Sequence, residues 1–347
     1  MKTVAVLGKF FCSFCLVLAL VWSGPLSARS EATTNQLTVY GTTDAEWVAM
    51  VAQAFEKETG IHVAWVREST GVVLQKLIAE KSQPQADVWF GGTFDGHAEA
   101  AKQGLLQAYV PAGRSDLLKQ FQNPLHNDLA TGLYGGVLGF SVNKEMLTKL
   151  GKPIPKTWDD LLNPTYKGLI AMANPSTSGT AFTVLATLVR LKGEEAAFSY
   201  MKKLHPQIAQ YTKSGAAPGL LAGKGEIAIA VLFLHDSVLR RIDGYPLIEV
   251  VPQDGTGYEI GGLSLVKGAP NPVAAKKFMD WVLNPKVQAL AANVGAYQLP
   301  SNAKTPLNAN IISFDKLKLV DLEMDWVMSN RDRLIQRWSR DVFAAAK

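Results

Sequence analysis

The chain has 347 residues, of which 48% are hydrophobic and 19% are charged, and its formal net charge at pH 7 is +5. This length and apolar content allow a sizeable core and predict a division into two lobes. The positive charge is too small and too dispersed to indicate a protein that binds nucleic acid or an anionic membrane.

The first 32 residues have the pattern of a secretory signal peptide. Two lysines precede an apolar run at 10–22, and small residues follow as far as Ala32. The run is shorter than the roughly 20 apolar residues of a membrane span. Both cysteines, Cys12 and Cys15, lie inside it. We therefore expect an exported protein whose mature chain does not rely on disulfides.

Three strand-turn-helix units are predicted at the start of the mature chain. The strands are expected at 37–41, 62–67 and 86–90, and each is followed by a polar turn and a run with helical spacing. Consecutive units of this kind predict a parallel sheet whose following helices all begin at one edge.

Two extended, glycine-rich runs at 133–142 and 258–266 enclose a second set of strands and helices. This set includes an apolar run at 168–173, a helical run at 181–190 and a buried strand at 227–234. Because the set is inserted between the two extended runs, we predict two lobes joined by a two-strand hinge, with a ligand closed between them.

The predicted fold is α/β, with a mostly parallel sheet flanked by helices in each lobe. Lobe 1 is expected to comprise 33–135 and 262–310, and lobe 2 the inserted residues 136–261. The last residues, 311–347, are predicted to form C-terminal helices that pack on lobe 2. Within them we expect one long helical stretch from about Leu317 to Ala345.

A cluster of hydroxyl residues and a glycine stands directly before the helical run at 181–190. The first N–H groups of a helix lack partners inside it, and small residues let an anion approach them closely. Ser and Thr are also ordinary helix caps and turn residues. We predict an oxyanion-binding segment made of Ser176, Thr177, Ser178, Gly179 and Thr180.

Further polar turns follow other predicted strands on both sides of the expected cleft. Ligands of open α/β sheets bind at the carboxyl ends of strands, where these turns lie. Neutral donors and helix ends can hold a phosphate without a fixed cation and release it quickly. The additional phosphate-binding residues predicted in this way are Thr43, Ser69, Thr70 and Ser214.

Acidic and imidazole side chains are expected beside that phosphate site. His235 and Asp236 follow the buried strand, and Glu259 lies on the second extended run. We predict that they bind ligand hydroxyls, with Asp44 as a further acceptor. The alternatives are a helix cap for the pair and a solvent-facing carboxylate for Glu259. The sequence shows no metal-ligand spacing and no nucleophile motif, so we predict no metal, no cofactor and no catalytic residue.

Five short motifs spread over the mature chain resemble one protein family. They are Glu58–Val63, Ala86–Trp89, Thr157–Leu161, Tyr166–Gly168 and Ser176–Gly179, and the helical run from Ala274 to Leu283 is similar as well. The resemblance is to the periplasmic type II solute-binding proteins of ABC transporters, in the branch with ferric-ion, polyamine and phosphonate binders. It implies the hinged two-lobe fold, a periplasmic location and delivery of a small ligand to an inner-membrane ABC permease, by a monomer.

The end of the buried strand separates members of this branch. Ferric binders carry adjacent tyrosines there, whereas this chain reads Leu234-His235-Asp236, and hard ferric ion prefers anionic oxygen ligands. A His-Asp pair plus a glutamate on the second crossing strand is similar to the branch member that binds hexose phosphates. This resemblance implies that His235, Asp236 and Glu259 hold sugar hydroxyls while 176–180 hold the phosphate.

Other functions remain open from the sequence alone. The ligand could be a phosphonate, another organophosphate, or ferric ion with a synergistic anion. A periplasmic phosphatase would use His235 and Asp236 as general acid and base. A sensory role, in which the closed form meets a membrane receptor, is a further alternative.

Overall fold

The computed structural model describes residues 35–344. The predicted signal peptide lies outside the described residues. Among the helices of residues 35–344, none combines the length and the apolar character that a membrane crossing requires.

Eleven strands form within residues 35–344, and hydrogen bonds connect them into one sheet system. The strands are β1 (Gln36–Gly41), β2 (His62–Arg67), β3 (Val88–Thr93), β4 (Leu106–Gln107), β5 (Thr131–Asn143), β6 (Ile170–Ala173), β7 (Ile208–Thr212), β8 (Ile229–Phe233), β9 (Leu247–Val250), β10 (Tyr258–Val266) and β11 (Leu299–Pro300). Their order is β2-β1-β3-β10-β5-β8-β6-β7, with β4 paired to β10 and both β9 and β11 paired to β5.

Twelve α-helices lie in the same part of the chain. They are α1 (Ala45–Thr59), α2 (Thr70–Ala79), α3 (Phe94–Lys102), α4 (Lys119–Gln122), α5 (Lys144–Lys149), α6 (Gly179–Lys192), α7 (Glu194–Leu204), α8 (Ala217–Gly223), α9 (Leu234–Ile242), α10 (Pro272–Val282), α11 (Pro285–Ala289) and α12 (Met324–Trp338). Short 3-10 turns occupy several of the connections.

Helix α1 shows how the sequence pattern produces these elements. Trp47, Val51 and Phe55 recur at helical spacing, and all three are buried, so one face of α1 packs on the sheet. The helix ends at Gly60, whose φ of 72° is the left-handed conformation that glycine adopts most easily.

Each half of the sheet contains three parallel strands. In the first half β1 pairs with both β2 and β3, and in the second half β6 pairs with both β7 and β8. Helices follow these strands, as in the predicted strand-turn-helix units. The predicted α/β class is confirmed.

Strands β5 and β10 connect the two halves. Residues 131–137 of β5 pair with β10, whereas residues 138–143 pair with β8 and β9. All of these pairings are antiparallel, as is that of β10 with β3. Each half is therefore a mixed sheet rather than a mostly parallel one, and the two crossing strands occupy the position predicted for the hinge.

The two halves have separate hydrophobic cores. In the first core Phe55 packs edge-on against Phe278 with ring centroids 5.1 Å apart. In the second core Phe140 packs edge-on against Trp158 at 5.0 Å. Separate cores are what two lobes that move about a hinge require. The residue boundaries given above for the lobes stay a prediction.

The predicted helix from Leu317 to Ala345 is wrong at its beginning. Before α12 the chain is extended: Thr256 N donates to Lys318 O at 2.9 Å, and Val320 N donates to Thr256 O at 2.8 Å. Val320 and Leu322 are buried in the second core. Because this pairing already satisfies backbone groups of the segment, it does not adopt a helix.

Candidate functional site

A cleft lined by residues of both halves contains most of the predicted site residues. Its empty volume is about 480 Å³, a figure that includes the part open to solvent. The predicted residues that line it are Thr43, Asp44, Ser69, Thr70, Ser178, Gly179, Thr180, Ser214, His235, Asp236 and Glu259.

Five helices of nine or more residues begin at this cleft. Their N-cap residues, all of which line it, are Asp44, Ser69, Thr93, Ser178 and Phe233. A helix start presents N–H groups and a partial positive charge. Of these side chains, only that of Ser178 caps its own helix, by accepting from Ala181 N at 3.4 Å, as far as the described residues show. The cleft therefore concentrates donors that suit an anion.

One part of the cleft, which we name the hydroxyl end, consists of Thr70, Thr93, Ser178, Thr180 and Ser214. Thr93 N donates to Thr70 Oγ1 at 3.3 Å. A β-carbon placed on Gly179 would overlap the Thr93 hydroxyl, so only glycine lets α6 approach α3 this closely. The buried Thr93 Oγ1 has no hydrogen-bond partner within residues 35–344. Hydroxyls of both halves thus surround one spot.

Ser176 and Thr177 do not line the cleft, contrary to the prediction. Ser176 donates to Asn174 Oδ1 through both its backbone N at 2.9 Å and its hydroxyl at 2.7 Å. The Thr177 hydroxyl donates to Lys213 O at 3.0 Å. Both side chains therefore hold the turn that leads into α6.

The other part of the cleft, which we name the acid end, consists of Asp44, His235, Asp236 and Glu259. Strand β8 stops at Phe233, one residue earlier than predicted, so His235 and Asp236 lie in the first turn of α9. His235 Nε2 is 3.8 Å from both Asp236 Oδ1 and Glu259 Oε1, which is too long for a hydrogen bond. These groups therefore face one another without a direct hydrogen bond.

A glycine on the crossing strand β5 makes room for the acid end. A β-carbon on Gly136 would lie 2.7 Å from Glu259 Oε1 and 2.8 Å from His235 Nδ1. That His235 Nδ1 is buried and has no partner in the described part of the chain. Nδ1 therefore lies against β5, and Nε2 is the ring nitrogen that faces Asp236 and Glu259.

Burial sets the protonation of the acid end. It raises the pKa of Asp236 to about 7 and that of Asp44 to about 6, and it raises the pKa of Glu259 well above its ordinary value. It lowers the pKa of His235 to about 4. At neutral pH the imidazole is therefore neutral, so these contacts are not ion pairs, and the raised pKa of Glu259 favours its protonated form. Such groups both donate and accept hydrogen bonds, as sugar hydroxyls do.

Arg67, Tyr134 and Gln298 line the cleft and were not predicted from the sequence. Arg67 Nε donates to Thr43 O at 3.0 Å, Gly92 N donates to Tyr134 Oη at 3.0 Å, and Gln298 Nε2 donates to Thr43 Oγ1 at 3.4 Å. Arg67 adds a cation to the lining of the cleft, which was not expected from the sequence. Arg67 could have been predicted as a site residue, because it is the last residue of β2 and the other site residues also lie at the ends of strands.

Tyr134 is poorly suited to bind ferric ion. Burial and the neighbouring Glu259 raise its pKa well above the ordinary value, so the phenolate is disfavoured. Within residues 35–344 no group of three or more His, Cys, Asp or Glu side chains has an arrangement that could hold a metal ion.

Comparison with known proteins identifies the family. Residues 84–324 match the bacterial extracellular solute-binding protein family. An uncharacterised protein of Haemophilus influenzae is 40% identical over 336 residues, which cover 95% of this chain and 97% of the relative. A protein of Salmonella paratyphi A, provisionally named a 2-aminoethylphosphonate-binding periplasmic protein, is 29% identical over 278 residues, 77% of each chain.

A solved structure agrees with the fold described above. The periplasmic binding protein AfuA from Actinobacillus pleuropneumoniae, solved with exogenous fructose-6-phosphate bound, is 40% identical. The match has a TM-score of 0.87 and covers 89% of this chain and 98% of AfuA. The chain therefore belongs to the bacterial extracellular solute-binding proteins, as a periplasmic component of an ABC importer.

Proposed function

We propose that this protein captures a hexose phosphate between its two lobes and delivers it to an inner-membrane permease. The observation that carries the proposal is the chemical difference between the two ends of one cleft. The hydroxyl end offers neutral donors and helix starts, whereas the acid end offers an imidazole and three carboxyl groups that together donate and accept hydrogen bonds.

The phosphate is assigned to the hydroxyl end. The N–H groups at the starts of α2, α3 and α6 attract a doubly negative group. The buried Thr93 hydroxyl, without a partner within residues 35–344, gains one from a phosphate oxygen. Because the donors of this end come from both halves, a bound phosphate contacts both lobes and stabilises the closed form.

The sugar is assigned to the acid end. His235 Nε2 lies 3.8 Å from two carboxyl groups, so one ligand hydroxyl placed beside the three groups can bond to more than one of them. The His235 and Glu259 side chains are only 9% and 4% exposed, so a guest that leaves their polar atoms without partners binds weakly. This end therefore selects what is attached to the phosphate.

AfuA supports this assignment, because a relative that is 40% identical over nearly its whole length holds a hexose phosphate. We further propose that the ester leaves this protein intact and that the protein acts as a monomer. Release of inorganic phosphate from a bound ester, abolished in His235→Ala, would contradict the first point and favour a phosphatase.

Calorimetric titration of ligand-free protein tests the proposal. We expect fructose 6-phosphate or glucose 6-phosphate to bind about a hundredfold more tightly than inorganic phosphate or the free sugar, since each of those contacts one end only. No heat with any sugar phosphate would refute it.

A 2-aminoethylphosphonate ligand is the second candidate. Three carboxyl groups at the acid end could receive an ammonium group, and the Salmonella relative carries that name. Against it, Glu259 is held in its protonated form and Arg67 offsets a carboxylate charge. Tighter binding of the phosphonate than of both sugar phosphates, in the same titration, would replace the first candidate.

A further inference from the structure

Helix α12 lies between the two cores. Val327, Leu334 and Trp338 are buried in the second core. Met324 and Met328, on the same helix, pack against the first core. Because most of its buried side chains belong to the second core, α12 is attached to that half and reaches across to the other.

One buried ion pair crosses from α12 to the first half. Arg331 Nε donates to Asp95 Oδ2 at 2.7 Å, and the two side chains are only 8% and 4% exposed. Asp95 is the second residue of α3 and stands two residues after Thr93 of the hydroxyl end. A movement of α3 away from the second half therefore separates the pair.

The same guanidinium also contacts the other side of the cleft. It lies over the ring of Phe182, 5.5 Å from its centroid, and Phe182 is in the first turn of α6. Arg331 thus touches both helices whose starts meet at Gly179 and Thr93. Its contacts report whether these two helix starts are together.

A buried ion pair is weak as permanent support for a fold. Removing two charges from water costs several kcal/mol for each ion, and apolar replacements of such pairs are often neutral or stabilising. In an opened protein both partners can be hydrated instead. The contribution of this pair therefore depends on the distance between the lobes rather than on folding itself.

Another arginine of α12 provides a contrast. Arg333 is 52% exposed and binds Glu194 on α7 at 2.6 Å, so its ion pair does not leave the second half. Opening of the cleft leaves that pair unchanged. Arg333 is therefore a matched control for Arg331 on the same helix.

We propose that the pair of Arg331 and Asp95 is a latch that stabilises the closed form and slows ligand release. The pair forms when α3 and α6 meet around the ligand and breaks when the lobes part. Both are positioning residues, since neither lines the cleft. The inference rests on capture by lobe closure and is independent of which ligand is captured.

Distance measurement between spin labels tests the latch, with labels placed by Gln53→Cys on α1 and Lys149→Cys on α5. Each variant is measured with and without fructose 6-phosphate as the probe. We expect Arg331→Met and Asp95→Asn each to shift the population toward longer distances and to accelerate release of the probe about tenfold. The double variant should add nothing further. Arg333→Met should match the wild type.

Wild-type distances and release rates in both variants would overturn the proposal, as would an additive double variant. If Arg331→Met fails to fold, Asp95→Asn decides alone, because it changes no volume. If the wild type binds no fructose 6-phosphate, the proposed ligand is refuted, and the latch is then decided by the distances in the unliganded protein.

Discussion

The hydroxyl end and the acid end of the cleft differ in the chemistry of their side chains. The hydroxyl end uses uncharged hydroxyls and helix starts, so its properties do not depend on titration. The acid end uses four titratable side chains whose pKa values are moved by burial. The hydroxyl end is therefore expected to bind through the positions of its donors, whereas binding at the acid end also depends on which of its side chains are protonated.

The two ends also differ in where their parts are attached. The hydroxyl end is complete only when Thr93 of the first half meets Gly179 of the second. At the acid end three of the four groups are attached to α9 and the crossing strand β10, and only Asp44 comes from the start of α1. When the lobes open, the residues of the hydroxyl end should separate, whereas most residues of the acid end should stay together.

The largest expected effect is at the hydroxyl end, in Gly179→Ala. The added methyl group overlaps the Thr93 side chain, so the lobes cannot close fully. We expect hexose phosphate affinity to fall about a hundredfold in calorimetry. The melting temperature of the unliganded protein should change little.

Gly113→Ala is the control for that change, because a β-carbon there would make only an ordinary contact with Leu283, at 3.9 Å. Its affinity should equal that of the wild type. Full affinity in Gly179→Ala would show that the two halves do not need to meet at this point.

The next effect separates the two ends. Glu259→Ala should weaken hexose phosphate binding at least about tenfold, because a buried hydrogen-bond partner of the sugar is lost. Its affinity for inorganic phosphate should not change. Glu259→Gln should bind nearly as the wild type does, since burial raises the pKa of Glu259 and so favours its uncharged form. A large loss in the Gln variant would show that the charged form is needed.

Protonation of the acid end predicts a pH effect on stability. The pKa of Asp236 is raised from 3.8 to about 7, so between these values the folded protein holds a proton that the unfolded chain has lost. Stability from this group falls as pH rises through that interval and is constant above it. Asp236→Asn should therefore raise the melting temperature by a few degrees at alkaline pH and leave it unchanged near pH 4. A variant that is less stable at alkaline pH would reverse the assigned sign.

The smallest effect is expected for Ser176→Ala. Its hydroxyl bonds to Asn174 in an exposed turn and does not reach the cleft. Affinity for a hexose phosphate should change by less than about twofold, within the effect of a lost exposed hydrogen bond. A tenfold loss of affinity would show that Ser176 does contribute to the phosphate site.

The parts of the fold and the site with local signals were predictable. The turns at Thr43, Ser69 and Ser178 each follow an apolar strand and precede a helical run, so adjacent residues encode their position. The His235-Asp236 pair was located by the same kind of signal, because it follows an apolar strand. It lies in the first turn of α9 and lines the cleft, but the capping alternative is wrong, since the N-cap of α9 is Phe233 and within residues 35–344 no side chain caps this helix.

Features that depend on distant partners were not predictable in the same way. Tyr134 lies on a strand whose residues are all buried, so no local pattern distinguishes it. The Thr177 hydroxyl donates to a backbone carbonyl 36 residues away. The extended segment before α12 depends on pairing with Thr256. Each of these outcomes is set by tertiary contacts that override local preference.

A crystal structure of the complex with fructose 6-phosphate tests the central claim most directly. We predict phosphate oxygens within about 2.7–3.2 Å of the backbone N of Thr180 and the hydroxyl of Thr93, with sugar hydroxyls on His235 and Glu259. The opposite orientation, with the phosphate beside Arg67 and the sugar among the helix starts, would contradict the account.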